Sequence, residues 1–242
     1  MIEFILSMRA AWLAQLVEHS AVNRQVVGSS PTSSAILIIE ELRFFFILLT
    51  AKCVIITIEV IILDKDTVIE TERLLLRQYS FEDVDDVVEG LNNLNVTQWM
   101  SHTPYPYTKD DALAYIKKSL DENLYNFAIV LKEENKVIGG TQLRNVDLVQ
   151  GTAGGGIWLN EKYQGHGYGS EAWGARIKYA FEVLGLRRLE NGYFEGNERS
   201  WNMQKKFGYK QEGMRREKYI PLSTGKVTNE YVTGLLKSEW IK

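Results

Sequence analysis

Apolar and polar positions change rhythm repeatedly along the chain, and each change predicts an element. Residues 71–78 carry Leu74, Leu75 and Leu76 in a short strand. Ser80 then precedes Phe81, Glu82 and Asp83, an N-cap followed by an acidic first turn, so a helix is expected to about Asn92. Thr108-Lys109-Asp110-Asp111 has the form of a capping box with Asp at its last position. Beyond it, Ala112, Ile116 and Leu120 share one helical face. Residues 126–132 and 136–146 read as two strands joined by the turn Glu133-Glu134-Asn135, a hairpin. Residues 154–159 form a further apolar strand. After a polar loop, Trp173, Ile177, Ala180, Phe181 and Leu184 make the apolar stripe of a helix that Gly185 stops. A strand over 186–194, a short helix over 197–207 and strands over 209–219 and 227–236 complete one α/β unit. Its 176 residues, 67–242, suffice for one good core.

The first 66 residues do not share this organisation. Ser29-Ser30-Pro31-Thr32-Ser33-Ser34 is a polar, turn-forming cluster. Residues 36–63 are apolar at 21 of 28 positions, but Glu40, Glu41, Arg43, Lys52 and Glu59 interrupt them. A spanning helix needs roughly 20 mostly apolar residues, and each charge at its centre costs about 3 kcal/mol. A membrane anchor is therefore not the first expectation, although tilting or snorkelling could rescue one, and a membrane-tethered version using residues 36–63 stays as an alternative. The apolar block lies too far from Met1 for a secretory signal, which leaves a cytoplasmic setting. Ala14-Gln15-Leu16-Val17-Glu18-His19 can be written GCT CAG TTG GTA GAG CAC, similar to the D-arm of a transfer-RNA gene. Val26-Val27-Gly28-Ser29-Ser30-Pro31 can be written GTT GTA GGT TCG AGT CC, similar to a T-arm, and Val22-Asn23 between them as an anticodon-loop-like GTT AAC. The expectation is a non-native extension over residues 1–66, a transfer-RNA gene and AT-rich spacer read as protein, with the true product starting near residues 65–68.

Composition narrows the chemistry. The 242 residues carry 28 Lys+Arg against 31 Asp+Glu, net −3, so the chain is no general binder of nucleic acid. A single cysteine, Cys53, allows no internal disulfide, and three scattered histidines give no metal-ligand spacing. Charge is uneven: residues 67–160 hold 8 basic and 14 acidic groups, net −6, while residues 161–218 hold 12 and 8, net +4. That is either local scatter or an acidic half facing a cationic substrate and a basic half facing an anionic one.

The strongest chemical signal is Gln164-Gly165-His166-Gly167-Tyr168-Gly169, between an apolar strand and an amphipathic helix. Glycines there permit positive φ and let a ligand approach the backbone, and the helix start presents unpaired N–H groups and a positive dipole end. That suits a pyrophosphate. It is not a Walker loop, because no Lys-Ser/Thr follows the last glycine. A merely flexible turn and a dinucleotide fingerprint, with Gly167-Tyr168-Gly169-Ser170-Glu171-Ala172 read as G-x-G-x-x-A and Glu190 about 20 residues on, remain alternatives on spacing alone.

A second constellation changes the balance. Asn197-Glu198-Arg199-Ser200 is followed by Lys206-Phe207-Gly208-Tyr209. Together the two blocks resemble the GNAT superfamily of acyl-CoA N-acyltransferases: residues 164–169 look like its Q/R-x-x-G-x-G/A loop, and Asn197, Ser200, Lys206, Gly208 and Tyr209 like its N-x-x-S…K-x-G-F/Y motif. The opening Glu70-Thr71-Glu72-Arg73-Leu74-Leu75-Leu76-Arg77 and the closing Gly234-Leu235-Leu236-Lys237-Ser238-Glu239-Trp240 are similar to the branch that acetylates N-terminal amines of ribosomal proteins. The resemblance spans about residues 68–242. It implies an α/β (α+β) fold with a mixed, mostly antiparallel central sheet flanked by helices, acting as a monomer or homodimer.

The resemblance also implies acetyl-CoA as donor, no metal, and a primary amine as acceptor, reacting directly in a ternary complex. The diphosphate would sit over Gly165, His166, Gly167, Tyr168 and Gly169, with Gln164 at the loop entry. The pantetheine would run along Ile157, Trp158 and Leu159, an N–H near Leu159 would polarise the thioester carbonyl, and Asn197 would bond the pantetheine. Ser200 would hydrogen-bond or protonate the departing thiolate. The general base is open. The stretch where some family members carry a Glu is Thr152-Ala153-Gly154-Gly155-Gly156, with no carboxylate. Glu195, Asp147, His102 or an ordered-water relay are the candidates, His166 reads as an exposed loop residue, and Trp99, Tyr105, Tyr107 and Tyr219 are candidate walls of the acceptor pocket. The acceptor is most simply a protein or peptide N-terminus; a polyamine or aminoglycoside-type amine, or a non-catalytic acyl-CoA-binding role, are the alternatives.

Overall fold

A computed structural model describes residues 67–122 and 125–241. The transfer-RNA-like segments and the apolar stretch 36–63 lie outside the described residues.

The chain enters through β1 (Ile69–Glu70) and turns at Thr71 into β2 (Leu74–Gln78). Ser80 caps the next helix as its sequence predicts: its hydroxyl accepts the Glu82 N–H at 3.2 Å, and the Asp83 carboxylate accepts the Ser80 N–H at 2.8 Å. A single tight turn, Phe81–Asp83, leads into α1 (Val84–Leu91). The short α2 (Leu94–Thr97), absent from the sequence expectations, is capped by Asn93. The Thr108 box also forms, its hydroxyl meeting the Asp111 carboxylate at 2.6 Å, and opens α3 (Lys109–Glu122).

The strands β3 (Asn126–Leu131), β4 (Lys136–Asp147) and β5 (Thr152–Leu159) follow as an antiparallel meander. Then come α4 (Tyr168–Lys178), β6 (Arg188–Phe194), α5 (Glu198–Lys206), β7 (Lys210–Tyr219) and β8 (Thr228–Leu236). One eight-stranded sheet results, in the order β1-β2-β3-β4-β5-β6-β8-β7. Every pairing is antiparallel except β5 with β6. The expected mixed, mostly antiparallel sheet is therefore present.

At β3 the sheet is covered on both faces, which explains why that strand reads as an unbroken apolar run instead of an alternating one. Phe127, Ile129 and Leu131 join Leu74, Leu76, Trp173, Ile177 and Phe181 on the α4 side, while Ala128 and Val130 join Tyr79, Val87, Ile116 and Trp158 on the α1–α3 side. Each such side chain contributes about 1.5–3 kcal/mol relative to exposure. The predicted stripe Trp173, Ile177, Ala180, Phe181 and Leu184 is buried throughout, but the last turn widens. Over Tyr179–Val183 the bonds run from i to i+5, with Leu184 N–H to Tyr179 C=O at 3.0 Å, before Gly185 ends the helix at φ 69°.

Candidate active site

β5 and β6 run parallel but pair at only two positions, Thr152↔Arg188 and Ala153↔Leu189, and then diverge. The far end of β5 is thus an unpaired edge inside the sheet. The Asn160 N–H, donated to Ile138 C=O at 2.8 Å, fixes which groups face which way. Main-chain groups of alternate residues point to opposite neighbours, so Trp158 turns its N–H and C=O toward β4 while Ile157 and Leu159 turn theirs into the opening. Among the three expected pantetheine-strand residues, Ile157 therefore offers its N–H and C=O and Leu159 its N–H to the opening, the Leu159 C=O being taken by the Gln164 side chain, whereas Trp158 offers neither. Its indole is buried against the α1–α3 layer beside Tyr79, in room that Gly140 leaves: a Cβ there would lie 2.6 Å from the Trp158 Nε1.

The glycine loop stands at the mouth of this opening. Gly165 and Gly167 take φ of 85° and 86°, where L side chains are strained, and Gly167 is the N-cap of α4. The first N–H groups of that helix have no intrahelical partner by construction. A Cβ on Gly165 would meet nothing within 4 Å, so the loop faces open space. The Gln164 side chain is already engaged. Its Nε2 donates to Leu159 C=O at 2.9 Å and its Oε1 accepts from Arg199 at 2.9 Å, locking the end of β5 to α5. His166 is exposed, with its ring stacked on Tyr168 at 5.9 Å, in keeping with a loop residue.

Arg73 is a site residue whose function the sequence motif did not disclose. Its Nη1 donates to His166 C=O at 3.0 Å and its Nε to Glu171 at 2.7 Å, while the guanidinium covers the Tyr168 ring at 4.5 Å. Glu171 also accepts from the Thr71 hydroxyl at 2.6 Å and the Arg73 N–H at 2.9 Å. Burial raises the Glu171 pKa, but these donors outweigh it and hold the carboxyl below its ordinary value. The loop is thereby clamped from behind by the turn between β1 and β2. Beside it lies a cavity of about 380 Å³ lined by Arg73, Gly167, Ser170, Glu171, Lys206, Phe207 and Ile241. Open amides, a helix start and the cations Arg73 and Lys206 suit the phosphates of an acyl-CoA.

On the far wall, Asn197 caps α5, accepting the Ser200 N–H at 3.2 Å, which leaves its amide NH₂ unused by the cap. Ser200 is half-buried in the first turn, and its oxygen accepts from Gln204 Nε2 at 3.0 Å. The acceptor candidates divide. Tyr107 is core, and Asp147 is a turn cap, accepting the Val149 and Gln150 N–H groups at 2.9 and 2.8 Å. Asp147 pairs with Thr152, at the closed end of β5, about 20 Å along the strand from Leu159 at roughly 3.3 Å per residue; it cannot reach the opening. Glu195 follows β6 directly, at the open end, exposed and bonded to Asn229 at 2.9 Å. Trp99 covers Gly196, where a Cβ would come within 3.8 Å of its ring, and Tyr219 packs on Phe194 at 5.3 Å. Leu222 N–H to Ser101 C=O, 3.3 Å, joins the two segments that carry these aromatics. Tyr105 and His102 are exposed on the same loop as Trp99.

Among the described residues no cluster of His, Cys, Asp and Glu could hold a metal ion, and no helix is long and apolar enough to cross a membrane.

A strand pair splayed beside a glycine-rich helix start is the architecture of an acyl-CoA-dependent transferase. Residues 73–210 match the acetyltransferase (GNAT) domain family, and the chain belongs to that family. It is an N-acetyltransferase, and the donor class of the family is acyl-CoA. The uncharacterized N-acetyltransferase YnaD of Bacillus subtilis (strain 168) is 31% identical over 172 residues, 71% of this chain and 98% of the relative. The putative ribosomal N-acetyltransferase YdaF of the same organism is 32% identical over 108 residues, 44% of this chain and 57% of that one. A GNAT-family acetyltransferase from Bacillus anthracis superposes with a TM-score of 0.62 at 29% identity, over 72% of this chain and 100% of that one.

Proposed function

We propose that the protein transfers an acetyl group from acetyl-CoA to the N-terminal amine of a protein or peptide. The observation that carries the reading is the opening between β5 and β6, which leaves the Ile157 backbone and the Leu159 N–H free beside the Gly165–Gly167 turn. The loop amides and Lys206 hold the phosphates, the Ile157 N–H and C=O pair with the pantetheine amides, and Asn197 Nδ2 adds a further donor. The Leu159 N–H polarises the thioester carbonyl as charge develops on its oxygen. Held together, amine and thioester react without the cost of encounter. A C–N bond forms and the C–S bond breaks, with the Ser200 hydroxyl donating a hydrogen bond to the departing sulphur. The proton the nitrogen loses passes through water, for which the exposed Glu195 at the open end is a candidate acceptor, and on to the sulphur, so that amine and thioester become amide and free thiol.

The peptide acceptor is supported by the β1–β2 and C-terminal motifs and by likeness to YdaF. A small polyamine is the second reading, favoured by the net −6 of residues 67–160. Thiol release from acetyl-CoA, measured with Ala- and Ser-initiated peptides beside spermidine and an aminoglycoside, tests both. Fastest release with the peptides is expected. Release with spermidine alone selects the second reading, and release no faster than without amine overturns both.

A further inference from the structure

Behind Ser200 lies a polar pair buried in an otherwise apolar layer. Gln204, one turn along α5, and Thr233 in β8 are both fully buried. The Thr233 hydroxyl donates to Gln204 Oε1 at 2.6 Å, and Gln204 Nε2 donates to Ser200 Oγ at 3.0 Å. The two lengths fix the amide's orientation. An O–H···O bond has its usual length near 2.7 Å and an N–H···O bond near 2.9–3.0 Å, so the oxygen faces Thr233 and the NH₂ faces Ser200. A threonine hydroxyl sealed in the core needs an acceptor, and the amide oxygen supplies one. A serine on a helix has two ways to spend its proton: back to the carbonyl one turn earlier, or outward. With a donor already on its oxygen, Ser200 cannot turn its own hydrogen toward Gln204.

We infer that Gln204 and Thr233 are positioning residues that fill the inward lone pair of Ser200 and leave its hydroxyl hydrogen to be donated into the opening, at the departing thiolate. The inference rests on the role proposed for Ser200. The chain Thr233–Gln204–Ser200 is polarised in one direction, each bond strengthening the next, so the outermost hydroxyl is a better donor than a lone serine. The pair lies behind the helix and touches neither acetyl-CoA nor acceptor; whatever it does to the reaction it does through Ser200.

The test is a double-mutant cycle on the full chain, with acetyl-CoA and the best acceptor of the panel above. Gln204→Met with Thr233→Val removes both partners at similar shape, so no buried group is left without a partner. Ser200→Ala should lower kcat about a hundredfold and Q204M/T233V about tenfold, each with little change in the KM for acetyl-CoA. Adding Q204M/T233V to Ser200→Ala should cost nothing further. A second readout needs no turnover. With CoA alone, ultraviolet titration of the bound thiolate should give a higher thiol pKa in Q204M/T233V than in the parent. Gln204→Glu, nearly the same shape but an acceptor only once ionised, should pull the Ser200 hydrogen inward and raise that pKa further at pH values where the buried carboxyl has lost its proton. Three results overturn the inference: a normal rate and normal thiol pKa in Q204M/T233V, an equal further loss in the Ser200→Ala background, or no effect of Ser200→Ala itself. Only the last also removes the role proposed for Ser200.

Discussion

At position 167 the backbone demands glycine before any ligand does. Its φ of 86° lies in the left-handed region, and a Cβ there would sit 3.3 Å from Arg73 Nη2. Gly167→Ala should cost about 1–2 kcal/mol of stability from backbone strain and raise the KM for acetyl-CoA more than it lowers kcat, both read from thermal melts and initial rates. Gly155 is required for a different reason. Arg176 is fully buried beneath β5, with its Nη1 donating to Gln142 C=O at 2.9 Å and Gly156 C=O at 3.1 Å and its guanidinium over Trp173 at 3.9 Å. A Cβ on Gly155 would lie 2.6 Å from that nitrogen and would clash with the Gln142 carbonyl. The run of glycines at 154–156 thus reads, at its centre, as space for a buried arginine. Gly155→Ala should lower the melting temperature, because backbone and a packed cation must both move; an unchanged melt would contradict this packing.

Short segments that tie elements together set the shape of the site. Arg73, in the turn between β1 and β2, reaches across to the glycine loop, and its removal should be felt there. Arg73→Met is expected to cost about 1–2 kcal/mol and to weaken acetyl-CoA binding measured by calorimetry, since the His166 carbonyl and Glu171 lose donors together. Glu89 of α1 plays the same part on the other side. It accepts from Lys136 at 2.7 Å and from Lys162, in the turn leading to the loop, at 2.8 Å. Those bonds, Lys136 foremost, lower its pKa from 4.5 to about 2. A depressed carboxyl pKa stabilises the fold above 4.5, and that stability is lost as pH falls toward 2. Glu89 is a third exposed, so the contribution is about 1 kcal/mol once solvent screening is counted. Glu89→Gln should melt lower than the parent at pH 7, and the gap should close as the pH approaches 2. None of these ties was legible in the sequence, because each joins residues dozens of positions apart. What was legible is local. The Ser80 and Thr108 caps, the apolar run of β3 and the stripe from Trp173 to Leu184 are all written within one or two turns of chain. α2 escaped because four residues carry no period. Gln204 escaped because its partner Thr233 is placed by the register of β8, and the base candidates stayed open because the distance of Asp147 from Leu159 depends on which end of β5 is open.

At the scale of the whole fold, the described residues form one sheet with a single parallel pairing, β5 with β6, and the proposed place of reaction is where that pairing stops. Residues 67–160, net −6, form the sheet's first half and the α1–α3 layer, and residues 161–218, net +4, carry the loop, α4 and α5. If that asymmetry guides a cationic acceptor, kcat/KM should fall with added salt, since screening acts within about 8 Å at physiological ionic strength. We propose, from the transfer-RNA-like residues alone, that residues 1–66 are a non-native extension, and a mass measurement tests it. The intact mass of the natively expressed protein should then lack the first 64 or so residues; a mass that includes Met1 contradicts it. The central claim is that the amides of the glycine loop and the free edge of β5 hold the donor. Amide resonances followed during titration with CoA test it most directly. The account predicts shifts concentrated at Gly165, Gly167 and Gly169 and at Ile157 and Leu159, weakened in Arg73→Met; shifts that leave these five amides unmoved would contradict it.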